Sequence, residues 1–436
     1  MKMVSEETTK EMIKPSSPTP PHHRNLQLSF LDQLAPPTYI HIILYFKAPA
    51  ASSPELKRSL SDALSIYYPL AGRLREKSRV ECNDGGAEYI EARFNDVRIS
   101  DVIENPQPEE LARFVPLSPS GDGDVPLAVQ ASFFGCGGAA LGICMSHRVA
   151  DAMSMVAFVN SWAACCRGDG GNQPVFDISS RFSPSDFSDF FKSVQLAPPP
   201  PPPPPEKVVT KIFLFDGKKL AALKKASSGP LMTNPTRVEA VSAFIWKHLI
   251  DSTSARNPNP NPNPVFAATH AVDIRERASP PLPRHFFGNA CARAMAMTSS
   301  SPAQDYYRLA LELRRVIRKA DADYVRRLED GGEFLKYYAV SEENDPELRE
   351  GGRTVEVCGF TSWCRLPAYE ADFGWGKPVW VSIIGVPVKN LVFFLRTECG
   401  DGIEAWVSMV EEDVAVIEKN YQLLDQMENI SELINV

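Results

Sequence analysis

Met145-Ser146-His147-Arg148-Val149-Ala150-Asp151 is the stretch from which the fold is read. An apolar run that favours β structure, Ala139 to Met145, enters it, and an amphipathic helical run, Ala152 to Cys166, leaves it. The change of period predicts a strand, a short loop and a helix, with His147 where the strand ends. Such a junction holds side chains on rigid backbone while leaving them open to a cleft. Histidine supplies a proton acceptor near neutral pH, and the aspartate four residues on is a candidate orienting acid.

The chain around this stretch is 436 residues long, enough for two domains with a core each. Hydrophobic residues make up 44% and charged residues 23%, the balance of a soluble globular protein. A net charge of -8 argues against nucleic acid or an anionic membrane as partner. No apolar run approaches the roughly 18 residues of a membrane span. The first residues, Met1 to Lys14, are charged and carry no secretory signal, so a cytoplasmic location is expected. The nine cysteines show neither C-x-x-C nor framework spacing and read as reduced thiols.

In chain order, a frayed, proline-punctuated start leads to a first ordered turn at Leu28–Asp32 and a buried strand at Ile40–Phe46. Pro54 opens a helix. Gly135-Cys136-Gly137-Gly138 resembles a dinucleotide-binding loop, but it joins two strand-like runs instead of opening a helix and reads as a hairpin turn. Eight prolines, Pro198 to Pro205, form an extended connector near mid-chain. Thr236 and Glu239 have the spacing of a capping box that opens a long apolar helix. Four Asn-Pro repeats from Asn257 to Pro264 make a solvated loop, and a helical tract from Pro302 to Tyr338 is expected to break near Gly331-Gly332. Further strands are expected at Val355–Phe360, Pro378–Gly385, Asn390–Arg396 and Ile403–Met409. Strands and flanking helices in both halves give an α+β protein of two similar domains, with a cleft between them as the default site.

Four signatures follow one another: Tyr68-Pro69-Leu70-Ala71-Gly72-Arg73, His147-Arg148-Val149-Ala150-Asp151, Phe287-Gly288-Asn289-Ala290 and Asp372-Phe373-Gly374-Trp375-Gly376. With Thr361-Ser362-Trp363-Cys364-Arg365-Leu366-Pro367 ahead of the last, the chain from about Pro15 to about Gln426 resembles the plant BAHD acyl-CoA-dependent acyltransferases. Within that family it is similar to the alcohol O-acetyltransferases of specialised metabolism. The resemblance implies a chloramphenicol acetyltransferase-like fold: two mixed β-sheets, each flanked by helices, with an active-site channel at the domain interface. It places an N-terminal domain at residues 1–195, a polyproline crossover at 196–207 and a C-terminal domain carrying Asp372 at 208–436.

The resemblance also assigns roles. His147 is the general base, and Asp372 is carried beside it as a catalytic candidate, although an aspartate in a turn between aromatic residues more often fixes the turn. Asp151 is a structural brace whose partner is Arg275, of Asp273-Ile274-Arg275, where the family usually has asparagine at Asp273. Thr236, Lys247, Asn289 and Trp375 are carried over as contacts to CoA. The expected partners are acyl-CoA as co-substrate and a small alcohol acceptor, with no resident cofactor, no metal and a monomeric chain.

The chemistry suits these residues. Acyl transfer from a thioester to an alcohol needs a base for the hydroxyl proton, and imidazole is matched to that task. The thioester is already activated, and no G-x-S-x-G or cysteine–histidine motif offers a nucleophile, so transfer within a ternary complex is expected. N-acylation of an amine, or a catalytically silent binding protein of the same fold, are the alternative readings.

Overall fold

The computed structural model describes residues 7–47, 52–76, 78–116, 124–176, 179–184, 206–256, 264–299, 305–330 and 355–426. Pro198–Pro205, Gly331-Gly332 and most of the Asn-Pro repeat lie outside them. By compactness the chain divides into two units. The first comprises Met1–Ser185, Pro280–Ala290 and Leu366–Gly385; the second holds Asp186–Ser279, Cys291–Arg365 and Val386–Val436. This corrects the boundaries drawn from sequence. Two pieces of the second half, one carrying Asn289 and the other Asp372, belong to the first unit together with His147.

The first unit is built on a six-stranded mixed sheet. Its order is Glu7–Ile13, Ala87–Phe94, Leu127–Phe134, Ala139–Ser146, Tyr39–Phe46 and Trp380–Ser382. Only Ala87–Phe94 and Leu127–Phe134 run parallel; the other neighbours are antiparallel. The Ala139–Ser146 strand is buried along its whole length, as its continuous apolar sequence requires. The Gly135–Gly138 segment is the hairpin turn read from sequence, with the Phe134 N–H donating to the Gly138 carbonyl.

Both edges of this sheet differ from the sequence reading. Glu7–Ile13, taken as frayed, is a strand paired to Ala87–Phe94, and Lys10 reaches the buried carboxylate of Glu88 at 2.8 Å. Charged side chains are what keep an edge strand from pairing with other chains, and here they hide its period. At the opposite edge only Trp380–Ser382 of the expected Pro378–Gly385 strand forms a ladder, with Trp380 stacked on Tyr45 at 4.9 Å. The helices Ser53–Ile66 and Ala152–Arg167 pack on each other, and Trp162 Nε1 donates to Ser59 Oγ at 3.1 Å.

The second unit repeats the plan. Its six strands run Cys291–Ser299, Val265–Asp273, Val355–Ser362, Leu391–Arg396, Ile403–Val410 and Val208–Phe215. Val355–Ser362 lies parallel to both of its neighbours, and the rest are antiparallel. Helices Arg237–Arg256, Tyr306–Lys319 and Glu411–Gln426 close a core around Phe244, Trp246, Leu313 and Phe360. The capping box is present: Glu239 N–H donates to Thr236 Oγ1 at 3.1 Å, and Thr236 N–H to Glu239 Oε2 at 2.7 Å. The tract from Pro302 breaks earlier than expected, at Ala320-Asp321. There the Asp321 carboxylate accepts from the Tyr324 N–H and starts a second helix, Ala322–Glu329. Among the described residues no helix is long and apolar enough to cross a membrane.

Candidate active site

The central strand of the first sheet ends at Ser146, and the His147 N–H donates to the Thr38 carbonyl at 2.9 Å, continuing the strand by one residue. The chain then turns, with the Val149 N–H on the Ser146 carbonyl at 3.0 Å. Asp151 closes the turn as the N-cap of the Ala152–Arg167 helix, its Oδ1 accepting from the Ser154 N–H at 2.9 Å. The His147 ring is half-buried and Asp151 is buried.

Against this loop lies Phe286–Ala290, tied down by three consecutive backbone N–H groups. Gly288 donates to Ser154 Oγ at 3.0 Å, Asn289 to Asp32 Oδ1 at 2.8 Å and Ala290 to Asp151 Oδ2 at 3.0 Å. Ser154 Oγ also donates to the Gly288 carbonyl at 2.9 Å. Buried peptide groups need such partners, and here three side chains supply them. Gly288 has φ +149, and a Cβ there would lie 2.6 Å from Phe286 Cζ. Only glycine takes this path without strain.

This clamp aims the Asn289 carboxamide at His147. Asn289 Nδ2 donates to Asp32 Oδ1 at 2.9 Å and to the His147 carbonyl at 2.7 Å. A flipped amide would turn its oxygen towards a carboxylate and a carbonyl, so the hydrogen-bond network fixes its orientation. Asn289 Oδ1 then lies 3.1 Å from His147 Nδ1. An amide oxygen only accepts, so Nδ1 carries the hydrogen and the lone pair of the neutral ring is on Nε2. Asp32 receives two further bonds on its other oxygen, from Ser29 N at 3.0 Å and Ser29 Oγ at 2.7 Å. Burial nonetheless outweighs these donors and pushes its carboxyl up to about 6.

Asp372 lies apart from this clamp. Asp372 Oδ1 accepts from the Gly374 N–H at 2.8 Å and the Gly376 N–H at 3.0 Å, fixing a turn in which both glycines have positive φ. Its carbonyl accepts from the guanidinium of Arg167, the last residue of the helix that Asp151 caps. Sixteen helical residues span about 24 Å, so Asp372 and His147 stand at opposite ends of one helix. That corrects the placement of Asp372 in the catalytic pair. Phe373 and Trp375 anchor the turn on Phe46, at 5.8 and 4.9 Å. Asp151 Oδ1 and Oδ2 accept from the Ser154 and Ala290 N–H groups.

Arg275, Thr236 and Lys247 lie in the second unit. Arg275 bonds Asp273 Oδ1 through its N–H at 3.0 Å and Nη1 at 3.1 Å, Thr236 caps its helix, and Lys247 meets Asp251 at 2.7 Å. Two residues of the clamp went unread in the sequence, Asp32 and Ser154. The signal for Asp32 was the S-x-x-D capping pattern from Ser29; Ser154 carried none.

Motif order, two matching mixed sheets and the clamped histidine point to one family, and a family model described as the Transferase family matches residues 3–424. The chain is a BAHD acyltransferase. This BAHD acyltransferase is 39% identical to stemmadenine O-acetyltransferase of Catharanthus roseus, over 98% of each chain. It is 38% identical to vinorine synthase of Rauvolfia serpentina, over 94% of this chain and 96% of that one. The crystal structure of vinorine synthase matches with a TM-score of 0.78 at 36% identity, covering 94% and 96%. F. sporotrichioides TRI101, solved with coenzyme A and T-2, shares the fold at a TM-score of 0.67 and 19% identity, covering 91% and 97%.

Proposed function

We propose that the protein transfers an acyl group, acetyl by default, from acyl-CoA to a hydroxyl group of a plant specialised metabolite. The observation that carries this reading is the Asn289–His147 contact, which leaves Nε2 as the basic nitrogen of a neutral imidazole. As the acceptor oxygen attacks the thioester carbonyl carbon, its proton passes to Nε2. The tetrahedral adduct collapses, the C–S bond breaks, and the imidazolium returns that proton to the CoA thiolate. Ester and free CoA leave, and neither a metal nor an acyl-enzyme takes part.

Asp151 and Arg275 are proposed as structural braces of the site. Thr236, Lys247 and Trp375 are proposed contacts to CoA. Asn289 was read from sequence as one too, but its carboxamide is engaged by His147 and Asp32, and we give it the work of orienting the base. Acetyl-CoA as donor is supported by relatives named for O-acetylation, among them stemmadenine O-acetyltransferase and limonoid 21-O-acetyltransferase. A monomeric chain and a cytoplasmic location are proposed with this reading.

A panel of matched alcohols and amines incubated with acetyl-CoA, read by free-thiol release and product mass, tests the reading. Ester formation with at least one alcohol is expected. Amide products alone would move the chain to N-acylation, and binding without turnover of any acceptor would make it a silent member of the fold.

A further inference from the structure

We propose that Asp32 is a positioning residue for His147, acting through the Asn289 carboxamide as the far end of an Asp32–Asn289–His147 relay. The inference rests on His147 being the base. Asp32 sits in the short helix Phe30–Leu34 and is 5% exposed. Its Oδ2 completes the capping box of that helix by accepting from Ser29 N and Ser29 Oγ. A cap needs nothing more, and asparagine or serine would serve it as well. The second oxygen is what sets a carboxylate apart, and it accepts two bonds from Asn289, one from the backbone N–H and one from Nδ2. Holding a charge at such depth is costly unless its hydrogen bonds do something a neutral side chain would not.

What they do is decide which end of the Asn289 amide meets the ring. With Asp32 in place, both hydrogens of Nδ2 have acceptors and Oδ1 faces Nδ1. Without it, the preference rests on the His147 carbonyl alone. A flipped amide would present Nδ2 to Nδ1, drawing the lone pair to Nδ1 and the hydrogen to Nε2. That tautomer has no basic nitrogen where the acceptor hydroxyl would be deprotonated. As imidazolium forms, the Nδ1–H···Oδ1 bond becomes charge-assisted, and the Asp32 carboxylate polarises the amide in the same sense.

The test uses Asp32→Ala and Asn289→Ala, singly and together, with steady-state kinetics and 15N NMR of labelled histidine in the full-length protein. Asp32→Ala is expected to lower kcat roughly 10-fold while KM for acetyl-CoA stays within about 2-fold. In the Asn289→Ala background it should cost nothing further. Asp32→Asn, which keeps an acceptor for Asn289, should recover part of the loss. The wild-type spectrum should show His147 protonated at Nδ1, and Asp32→Ala should shift the population towards Nε2–H. An equal loss of kcat in both backgrounds, or a wild-type ring protonated at Nε2, would overturn the relay. The wild-type spectrum needs no variant to fold and no turnover to read. A failure of the relay is therefore distinguishable from a failure of the proposed reaction.

Discussion

Replacing Gly288 with alanine strikes the clamp at its tightest point. The new methyl would lie 2.6 Å from Phe286 Cζ, well inside van der Waals contact, on a backbone with φ +149. Phe286 has little room to yield. It is 4% exposed, and its neighbours are stitched to Val175 through the Val175 N–H on the His285 carbonyl and the Phe287 N–H on the Val175 carbonyl, both 2.9 Å. The backbone conformation costs an L-residue about 1–3 kcal/mol. Displacing a packed ring adds about 1–3 kcal/mol, and the stiffer unfolded chain returns about 0.4–1 kcal/mol. The net is about 3 kcal/mol, which for a unit of about 200 residues lowers Tm by roughly 6–12 °C. Scanning calorimetry of the full chain reads this directly. Because Gly288 precedes Asn289, kcat should fall more than KM rises. An alanine variant that melts within about 2 °C of wild type and keeps kcat within about 2-fold would refute the clamp.

Asp372→Asn keeps an acceptor for the Gly374 and Gly376 N–H groups and should retain near-normal kcat, whereas Asp372→Ala loses both bonds and about 1–2 kcal/mol. If Asp372→Asn abolishes turnover as fully as loss of His147, Asp372 belongs to the proton path after all. Burial pushes the Asp32 carboxyl up from the ordinary 3.8 to about 6, so the folded state binds the proton more tightly. Its contribution to stability is therefore full below about pH 4 and is lost as pH rises through about 6, a change of about 3 kcal/mol. Melting curves of wild type and Asp32→Asn between pH 4 and 7 should show the wild type losing ground as pH rises; a difference independent of pH would contradict the buried charge.

Period and turn chemistry made much of the fold legible. Ala139–Met145 and Ala152–Cys166 announced a buried strand and a helix, and Thr236 with Glu239 announced a cap, because each signal is local. The Glu7–Ile13 strand was hidden because an edge strand carries charge where a central one carries valine. Trp380–Ser382 could be read as a strand but not as a partner of Tyr39–Phe46, since nothing local records pairing across 337 residues. The site divides in the same way. His147 and Asp151 lie in one motif and were read together. Asp32, Asn289 and His147 converge only in three dimensions, and a capping pattern at Ser29 does not disclose where the other carboxylate oxygen points.

The central claim is that one imidazole carries the proton. Free-thiol release by His147→Ala, at saturating acetyl-CoA and acceptor, tests it most directly. The account predicts that kcat falls by roughly 10²–10⁴-fold while the melting temperature stays at the wild-type value. Turnover near the wild-type rate in a folded His147→Ala protein would contradict it.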